Sequence, residues 1–330
     1  MNLSSLGEFG LIARLHKKLT RRGGVRVGIG DDAALLEALS SPVVTCDALL
    51  EGVHFRLDWT TARALGWKAM AVNVSDIAAM GGLPVAAFVS LALPSHCDVE
   101  FVEELYAGME SAAAEYNFTI AGGDTVKSPG ALMISVTIIG NAPRPVLRSG
   151  ALPGDVLLTT GTLGDSAAGL QLLLHPQQQI SEEYHEFLLA RHHNPTPRLC
   201  EMQAALKIEN AVHAALDLSD GLAGDAAHIA RQSNVMLEIE TAFLPISPAC
   251  RAMAQAANCD VLDFALAGGE DYELLFCVAP EKADQVITAV QDATGTPVAR
   301  IGRCVAREDA PVILLKNGVR QVAPAAFTHF

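Results

Sequence analysis

Carboxylates recur along this chain beside glycine, serine or threonine. The densest stretch is Gly28-Ile29-Gly30-Asp31-Asp32-Ala33-Ala34, followed by Asp47 and by Glu51-Gly52-Val53-His54-Phe55. Four others echo it: Asn73-Val74-Ser75-Asp76, Gly122-Gly123-Asp124-Thr125, Asp217-Leu218-Ser219-Asp220-Gly221 and Gly268-Gly269-Glu270-Asp271-Tyr272. Glycine lets a backbone approach a ligand closely, and adjacent carboxylates that cannot neutralise one another call for a cation. Mg²⁺ ions shared between such carboxylates and a triphosphate neutralise charge and align an in-line phosphoryl transfer. A nucleotide-phosphate site built from dispersed carboxylates is the chemistry these residues allow.

Other routes to phosphate or acyl chemistry leave signatures that are missing. No G-x-x-x-x-G-K-[ST] loop occurs, nor any Gly-Lys pair, which excludes a P-loop. The His-Arg-Asp and Asp-Phe-Gly signatures of protein kinases and the G-x-S-x-G of serine hydrolases are also lacking. Gly28-x-Gly30 has no third glycine and is followed by two acids, which would repel a dinucleotide pyrophosphate. The formal charge of −14 argues against nucleic acid as a partner, because affinity for its backbone comes mostly from Lys and Arg. Seven cysteines are scattered without C-x-x-C spacing, so neither zinc nor a disulfide framework is indicated. No apolar run is long enough to span a bilayer, and a cytoplasmic protein without a membrane partner is expected.

These residues need elements to hold them, and 330 residues suggest two domains. The periodicity predicts a helix over residues 8 to 20 ending in a basic run, whose plain reading is a solvated helix end. A short strand Pro42–Cys46 delivers Asp47 at its end. A helix over Thr61–Met80, stopped by Gly81-Gly82 and Pro84, carries Asp76 with no cation at i±3 or i±4. That carboxylate is either solvated, a cap for a neighbour, or a metal ligand. Val85–Leu93 and Leu132–Ile139 read as strands, Asp98–Glu115 as a helix, and Phe118–Ala121 as a strand ending in Gly-Gly-Asp-Thr, which alone reads as a turn. Asn141–Gly150 is the expected linker, and Arg148 within it is either a surface residue or a phosphate contact. In the second half, helices over Ser181–His192 and Pro197–Leu206 precede a strand Ala211–Leu216, which feeds Asp217-Leu218-Ser219-Asp220-Gly221 into a helix over Ala223–Gln232. This junction suits an anion or metal, though a Ser or Asp cap is the alternative. Glu270, Asp271 and Glu273 repel one another ahead of the strand Leu274–Val278 unless a cation or donors relieve them. A helix over Glu281–Ala293 and short strands near Val298 and Val312 follow. His54 is the one histidine inside a motif, and a satisfied structural role is its plain reading.

Taken together and in order, six motifs resemble the thiamine-monophosphate kinase family of the aminoimidazole-ribonucleotide-synthetase-like superfamily. They are Gly-Ile-Gly-Asp-Asp-Ala-Ala, Thr-Cys-Asp-Ala-Leu-Leu-Glu-Gly-Val-His-Phe, Ala-Val-Asn-Val-Ser-Asp-Ile-Ala-Ala-Met-Gly, Gly-Gly-Asp-Thr, Leu-Asp-Leu-Ser-Asp-Gly-Leu and Gly-Gly-Glu-Asp-Tyr-Glu-Leu. The resemblance implies a two-domain α+β fold: residues 1–143 an N-terminal ATP/Mg-binding domain whose sheet forms a homodimer interface, and residues 144–330 a C-terminal α+β domain. It implies transfer of the γ-phosphoryl group of ATP to thiamine monophosphate, giving thiamine diphosphate, the last step of its biosynthesis. Carried over by position, Asp32, Thr45, Cys46, Asp47, Asp76, Asp124, Asp217 and Asp220 would hold Mg²⁺. Gly123, Arg148 and Ser219 would meet ATP, and His54, Glu270 and Phe327 the thiamine moiety, with no side chain needed as acid or base. Cys46 stands where the family usually has Thr, so its contribution depends on whether that position coordinates through its carbonyl or its side chain. The rivals are an amide- or carbonyl-activating ATP enzyme of the same superfamily, and a non-catalytic nucleotide-binding protein. Selenophosphate-forming relatives would want a cysteine ahead of Cys46, and carbamoyl-dehydrating ones end in a cysteine where this chain ends in Phe330.

Overall fold

The computed structural model describes residues 6–29 and 32–324. Gly30, Asp31 and Phe327 therefore lie outside the described residues. Two units are present, Met1–Ile77 with Gly82–Arg144, and Ala78–Gly81 with Pro145–Phe330. The first opens with α1 (Glu8–His16) and the ribbon β1 (Val25–Val27) with β2 (Leu35–Leu36). A four-stranded sheet follows, built from β3 (Pro42–Leu50), β4 (Leu83–Leu93), β5 (Thr119–Lys127) and β6 (Met133–Asn141) in the order β3-β6-β4-β5. β4 and β5 are parallel, which requires the crossover helix α3 (Val99–Glu115), while the other pairs are antiparallel.

Helix α2 (Ala62–Ala79) and α3 cover one face of this sheet. A Cβ at Gly66 would stand 1.9 Å from the Leu105 carbonyl oxygen, and one at Gly108 1.9 Å from that of Arg63, so the two helices cross backbone to backbone. Glycine inside a helix costs stability relative to alanine, and this approach is what it allows. Below the crossing, Leu65, Met70, Val74, Leu105 and Met109 pack on Val89, Leu91, Ile134, Val136 and Ile138. Burial of each such large side chain contributes about 1.5–3 kcal/mol. On the opposite face, residues of this unit are exposed: Val44, Cys46, Ala48 and Leu50 alternate outward along β3, and Met133 and Val126 do so on β6 and β5.

The second unit has a seven-stranded sheet of β7 (Val156–Thr160), β8 (Val212–Asp217), β9 (Val235–Glu240), β10 (Leu274–Val278), β11 (Val298–Ala306), β12 (Val312–Lys316) and β13 (Val319–Val322). Its order is β13-β12-β9-β11-β7-β10-β8, with β12 and β9 the parallel pair. Both faces are apolar. Leu275 and Cys277 join the cluster under α7 (Leu222–Ser233), whereas Leu274, Phe276 and Val278 join the one under α6 (Leu199–Ala205) and α10 (Ala283–Thr294). Helices α4 (Asp165–Leu174), α5 (Glu182–His193) and α8 (Pro248–Ala257) pack together through Leu172, Leu188 and Met253, and the short α9 (Val261–Ala267) precedes the Gly268 motif. Among the described residues no helix is long and apolar enough to cross a membrane.

Several boundaries differ from the periodicity, and tertiary bonds explain them. The first helix stops at His16 instead of 20, because Thr20 and Arg22 give their N–H groups to the Glu110 carboxylate and the Thr119 hydroxyl. Asp47 stands inside a nine-residue strand and not at the end of a short one. Gly122-Gly123-Asp124-Thr125 is no turn: β5 runs through it, held on β4 by the parallel register that pairs Gly122 with Phe88 and Thr125 with Leu91. β6 extends to Asn141, at the start of the expected linker, where the Asn141 side chain accepts from the Ser41 N–H at 2.9 Å. Pro197 lies outside α6, and the strand near Val298 is nine residues long. No element was expected between Gln232 and Gly268, where β9, α8 and α9 lie, although Ser247-Pro248 is a recognisable helix start with Ser247 capping the Cys250 N–H.

Candidate active site

In the first unit, the free edge of β3 meets α2. The Asp47 N–H donates to Asn73 Oδ1 at 3.1 Å, and the Thr45 hydroxyl donates to Asp76 Oδ2 at 2.5 Å. Asn73 is itself buried and fixed by donating to the Ala69 carbonyl. Thr45 and Asp47 share the helix-covered side of the strand, so two carboxylates from separate elements face one another. Burial, and then the charge of Asp76, push the Asp47 carboxyl up to about 6. Cys46, by strand alternation, points to the opposite face, with its sulfur 3.6 Å from the Ser135 hydroxyl. Its side chain therefore lies on the other face of the strand from those of Thr45 and Asp47.

Asp124 is exposed on β5 and accepts the N–H of Thr125 at 2.8 Å. The neighbouring Gly123 has φ +150°, and a Cβ there would lie 1.9 Å from the Val89 carbonyl oxygen, so this position admits no side chain. Asp47, Val136, Val89 and Gly123 form one row across the sheet. Three strand spacings, about 14 Å, therefore separate Asp47 from the Gly123-Asp124 pair within a chain. His54 sits in the turn after β3, its Nδ1 accepting the Leu50 N–H at 3.1 Å, which places the ring proton on Nε2 when the imidazole is neutral.

In the second unit, two distant motifs are laced together. The N–H groups of Glu270 and Tyr272 donate to the Ser219 and Leu218 carbonyls at 2.8 and 2.9 Å, and the Leu218 N–H donates to Glu273. Asp217, buried at the end of β8, is opposite Leu274. Gly221 is the N-cap of α7 without a side-chain bond, so Ser219 and Asp220 are not ordinary caps. Asp225, absent from the expected site, accepts the Asp220 N–H at 3.0 Å and is only 4% exposed. Its signal in the sequence was weak: an acid one turn after a Gly-Leu helix start. Burial, with the charges of Asp217 and Asp220, holds the Asp225 carboxyl up to about 8 against the lowering effects of the Asp220 N–H and Arg148. Arg148 thus lies close enough to α7 to act on Asp225 and on His228, while its carbonyl accepts from Ser233.

An unfolded carboxyl ionises near 4, so between about pH 4 and 8 the folded state holds a proton at Asp225 that the unfolded state has released. Stability of the metal-free protein falls as pH rises through that window. Asp225→Asn keeps an oxygen acceptor for Asp220 and is expected to flatten this slope by about one proton. Thermal melts from pH 5 to 8 in chelator check it, and an unchanged slope would disprove the assignment.

The acids of the Gly268 motif divide by their partners. Asp271 is buried and accepts the N–H groups of Gly164 and Ser166 at 2.6 and 3.2 Å at the start of α4; burial pushes it up to about 7 although those bonds oppose it. Glu273 is fully buried, and burial raises its carboxyl, but Arg198, Arg191 and Thr160 outweigh this and leave it below the usual range. Protein donors thus relieve Asp271 and Glu273, whereas Glu270, at φ +66°, is partly exposed and lies 3.5 Å from His192 Nδ1. Among the described residues no group of three or more His, Cys, Asp or Glu side chains stands ready to hold a metal.

The described geometry can be set beside known proteins. Residues 30–142 match the family described as AIR synthase related protein, N-terminal domain, and residues 153–314 its C-terminal domain. The thiamine-monophosphate kinase of Rhodopirellula baltica is 39% identical, over 98% of this chain and 97% of its own. The crystal structure of thiamine-monophosphate kinase from Stenotrophomonas maltophilia superposes with a TM-score of 0.82 at 36% identity, covering 93% of this chain and 96% of that one. AaThiL complexed with AMPPCP and TMP superposes at 0.78 with 38% identity, covering 100% of this chain and 99% of that one. The two AIR-synthase-related halves, the paired carboxylates of β3 and α2 and this full-length identity place the chain in the thiamine-monophosphate kinase family.

Proposed function

We infer that this chain transfers the γ-phosphoryl group of ATP to the phosphate of thiamine monophosphate, releasing ADP and thiamine diphosphate. The observation that carries the chemistry is the Asp47–Asp76 pair, two carboxylates held face to face by Thr45 and Asn73 at a cost in charge repulsion. All donors there are oxygens, which suits Mg²⁺. Asp32, Asp47, Asp76 and Asp124, the Thr45 hydroxyl and the Cys46 carbonyl would hold Mg²⁺ from the first domain, and Asp217 and Asp220 from the second. Bound Mg²⁺ would offset the charge of the triphosphate and of the transferring group. Gly123, Arg148 and Ser219 orient ATP, and His54, Glu270 and Phe327 take the thiamine moiety. Its cationic ring favours a carboxylate and an aromatic face. Since the acceptor is already an ionised phosphate, no side chain need remove a proton.

The same reading includes a homodimer through the uncovered sheet face, with the domain boundary at residues 143/144. Two observations support the dimer: the apolar row of Val44, Ala48 and Leu50, and the three strand spacings that keep Asp124 from Asp47 in one chain, a gap that a second copy's sheet can close. Seven free cysteines, with the buried sulfurs of Cys277 and Cys304 3.6 Å apart, support a reducing cytoplasm.

The test is an assay of ATP, Mg²⁺ and thiamine monophosphate followed by chromatography, with thiamine as control acceptor. Diphosphate is expected only from the monophosphate, with no bell-shaped pH profile assignable to one side-chain base. Nucleotide binding without product from any acceptor would favour the non-catalytic rival instead.

A further inference from the structure

Helix α5 carries no motif residue, yet its last turn lies against the ligand-facing acid of the Gly268 motif. His192 is buried, with a side chain only 6% exposed, and its Nδ1 is 3.5 Å from Glu270 Oε2 and 3.0 Å from the Ser166 hydroxyl. Ser166 is itself fixed, since its N–H donates to the buried Asp271 carboxylate at 3.2 Å. Leu188 on the same helix packs against Ala168 and Leu172 of α4, so the imidazole is carried on a rigid helix pair. Glu270 and Tyr272 both have left-handed backbone, φ +66° and +52°, a conformation that ordinary residues adopt only when their surroundings impose it. The backbone of the loop is thus set by its bonds to Leu218 and Ser219, and the aim of the Glu270 side chain is left to its lateral neighbours.

An ionised carboxylate only accepts hydrogen bonds. A bare Nδ1 lone pair would therefore repel Glu270 Oε2, and the geometry favours the form with the proton on Nδ1. We propose that His192, braced by Ser166, is a positioning residue that aims the Glu270 carboxylate at the cationic heteroaromatic part of the acceptor and so sets affinity for that substrate. This rests on the assignment of Glu270 to the thiamine moiety. It assigns to α5 a part in acceptor recognition but none in ATP binding.

Steady-state kinetics of the full chain test it with four variants: Glu270→Gln, His192→Leu, His192→Asn and the double variant Glu270→Gln/His192→Leu. Loss of one polar contact to a charged group corresponds to about a tenfold change. Expected is a rise of about tenfold in KM for thiamine monophosphate in both E270Q and H192L, with no further rise in the double variant. KM for ATP and the thermal midpoint should stay near those of the parent. In H192N the amide nitrogen stands where Nδ1 stood, and KM should return to within about twofold of the parent. The ¹⁵N signature of His192 should show a protonated Nδ1. A raised KM in E270Q beside a parental KM in H192L overturns the role of His192 alone. Equal rises in both KM values in H192L, without rescue in H192N, reduce His192 to a structural residue. An unchanged E270Q removes the underlying assignment of Glu270, and the proposal with it.

Discussion

Asp47→Asn and Asp76→Asn are each expected to lower kcat/KM by about three orders of magnitude while leaving the metal-free protein slightly more stable. The loss follows from the chemistry: phosphoryl transfer by positioned charge has no substitute for a missing anionic ligand, and removal of one preorganised electrostatic group typically costs 10²–10³-fold. The gain follows from the pair itself. Asp47 is raised to about 6 by burial and by Asp76, whereas an unfolded aspartate ionises near 4. The folded state therefore keeps a proton over that window, and stability falls as pH rises from about 4 to about 6. With Asp76 neutralised, part of this penalty disappears, about 1 kcal/mol near pH 7, since one pKa unit corresponds to about 1.4 kcal/mol. The Thr45 hydroxyl still finds an amide oxygen at position 76, so the α2–β3 contact survives. Kinetics over a Mg²⁺ titration and urea melts in chelator separate the two effects. Full activity in Asp76→Asn at ordinary Mg²⁺ would remove this pair from the catalytic site.

The second large effect concerns stability. Glu273→Leu is expected to destabilise the protein by about 3–5 kcal/mol, the usual cost of breaking a buried ion pair from one side. Glu273 is wholly buried and accepts from Arg198 at 2.6 and 2.7 Å, from Arg191 at 2.7 Å and from the Thr160 hydroxyl at 2.6 Å. Its loss leaves two guanidiniums, only 13% and 14% exposed, with just the longer contacts to Glu201 at 3.4 Å and Asp165 at 3.8 Å as ion pairs. Because its carboxyl is held below the ordinary range, its contribution is complete above the unfolded value near 4 and fades as pH falls through the folded one. Urea unfolding of the variant at pH 7 measures the loss directly, and a change under about 1 kcal/mol would show that the network is not stabilising.

Much of the candidate site was legible because its signals are local. A carboxylate in a short serine- or glycine-marked motif can be read from a few adjacent residues, as at Asp76 beside Ser75 in its helix or Asp217 at the end of β8 ahead of Ser219 and Gly221. Type and approximate position of the long elements were also legible, since the apolar period of α3 follows the face it must bury, while α2 and β4 are apolar runs buried on almost every side and bounded by turn residues. Where a segment's fate depended on bonds from afar, the sequence misled: residues 17–20 read as helix but are tied to α3, and Gly122-Gly123 read as a turn but continues β5.

What the sequence determined by itself is the inventory and its order: which carboxylates exist, beside which small residues, on which strands and helices, and hence the family. What only the tertiary structure decided is what each carboxylate faces. It turned Thr45 and Asp47 toward Asp76 and Cys46 away, and put two strands between Asp47 and Asp124. It satisfied Asp271 and Glu273 with donors from α4, α5 and α6, leaving Glu270 as the acid beside His192, and it brought Asp225 under Asp220. The physical reason is that a carboxylate's role depends on the donors and charges within a few ångströms. Those arrive from residues as far as 113 positions away, as with Thr160 and Glu273, whose pairing leaves no periodic trace in the chain.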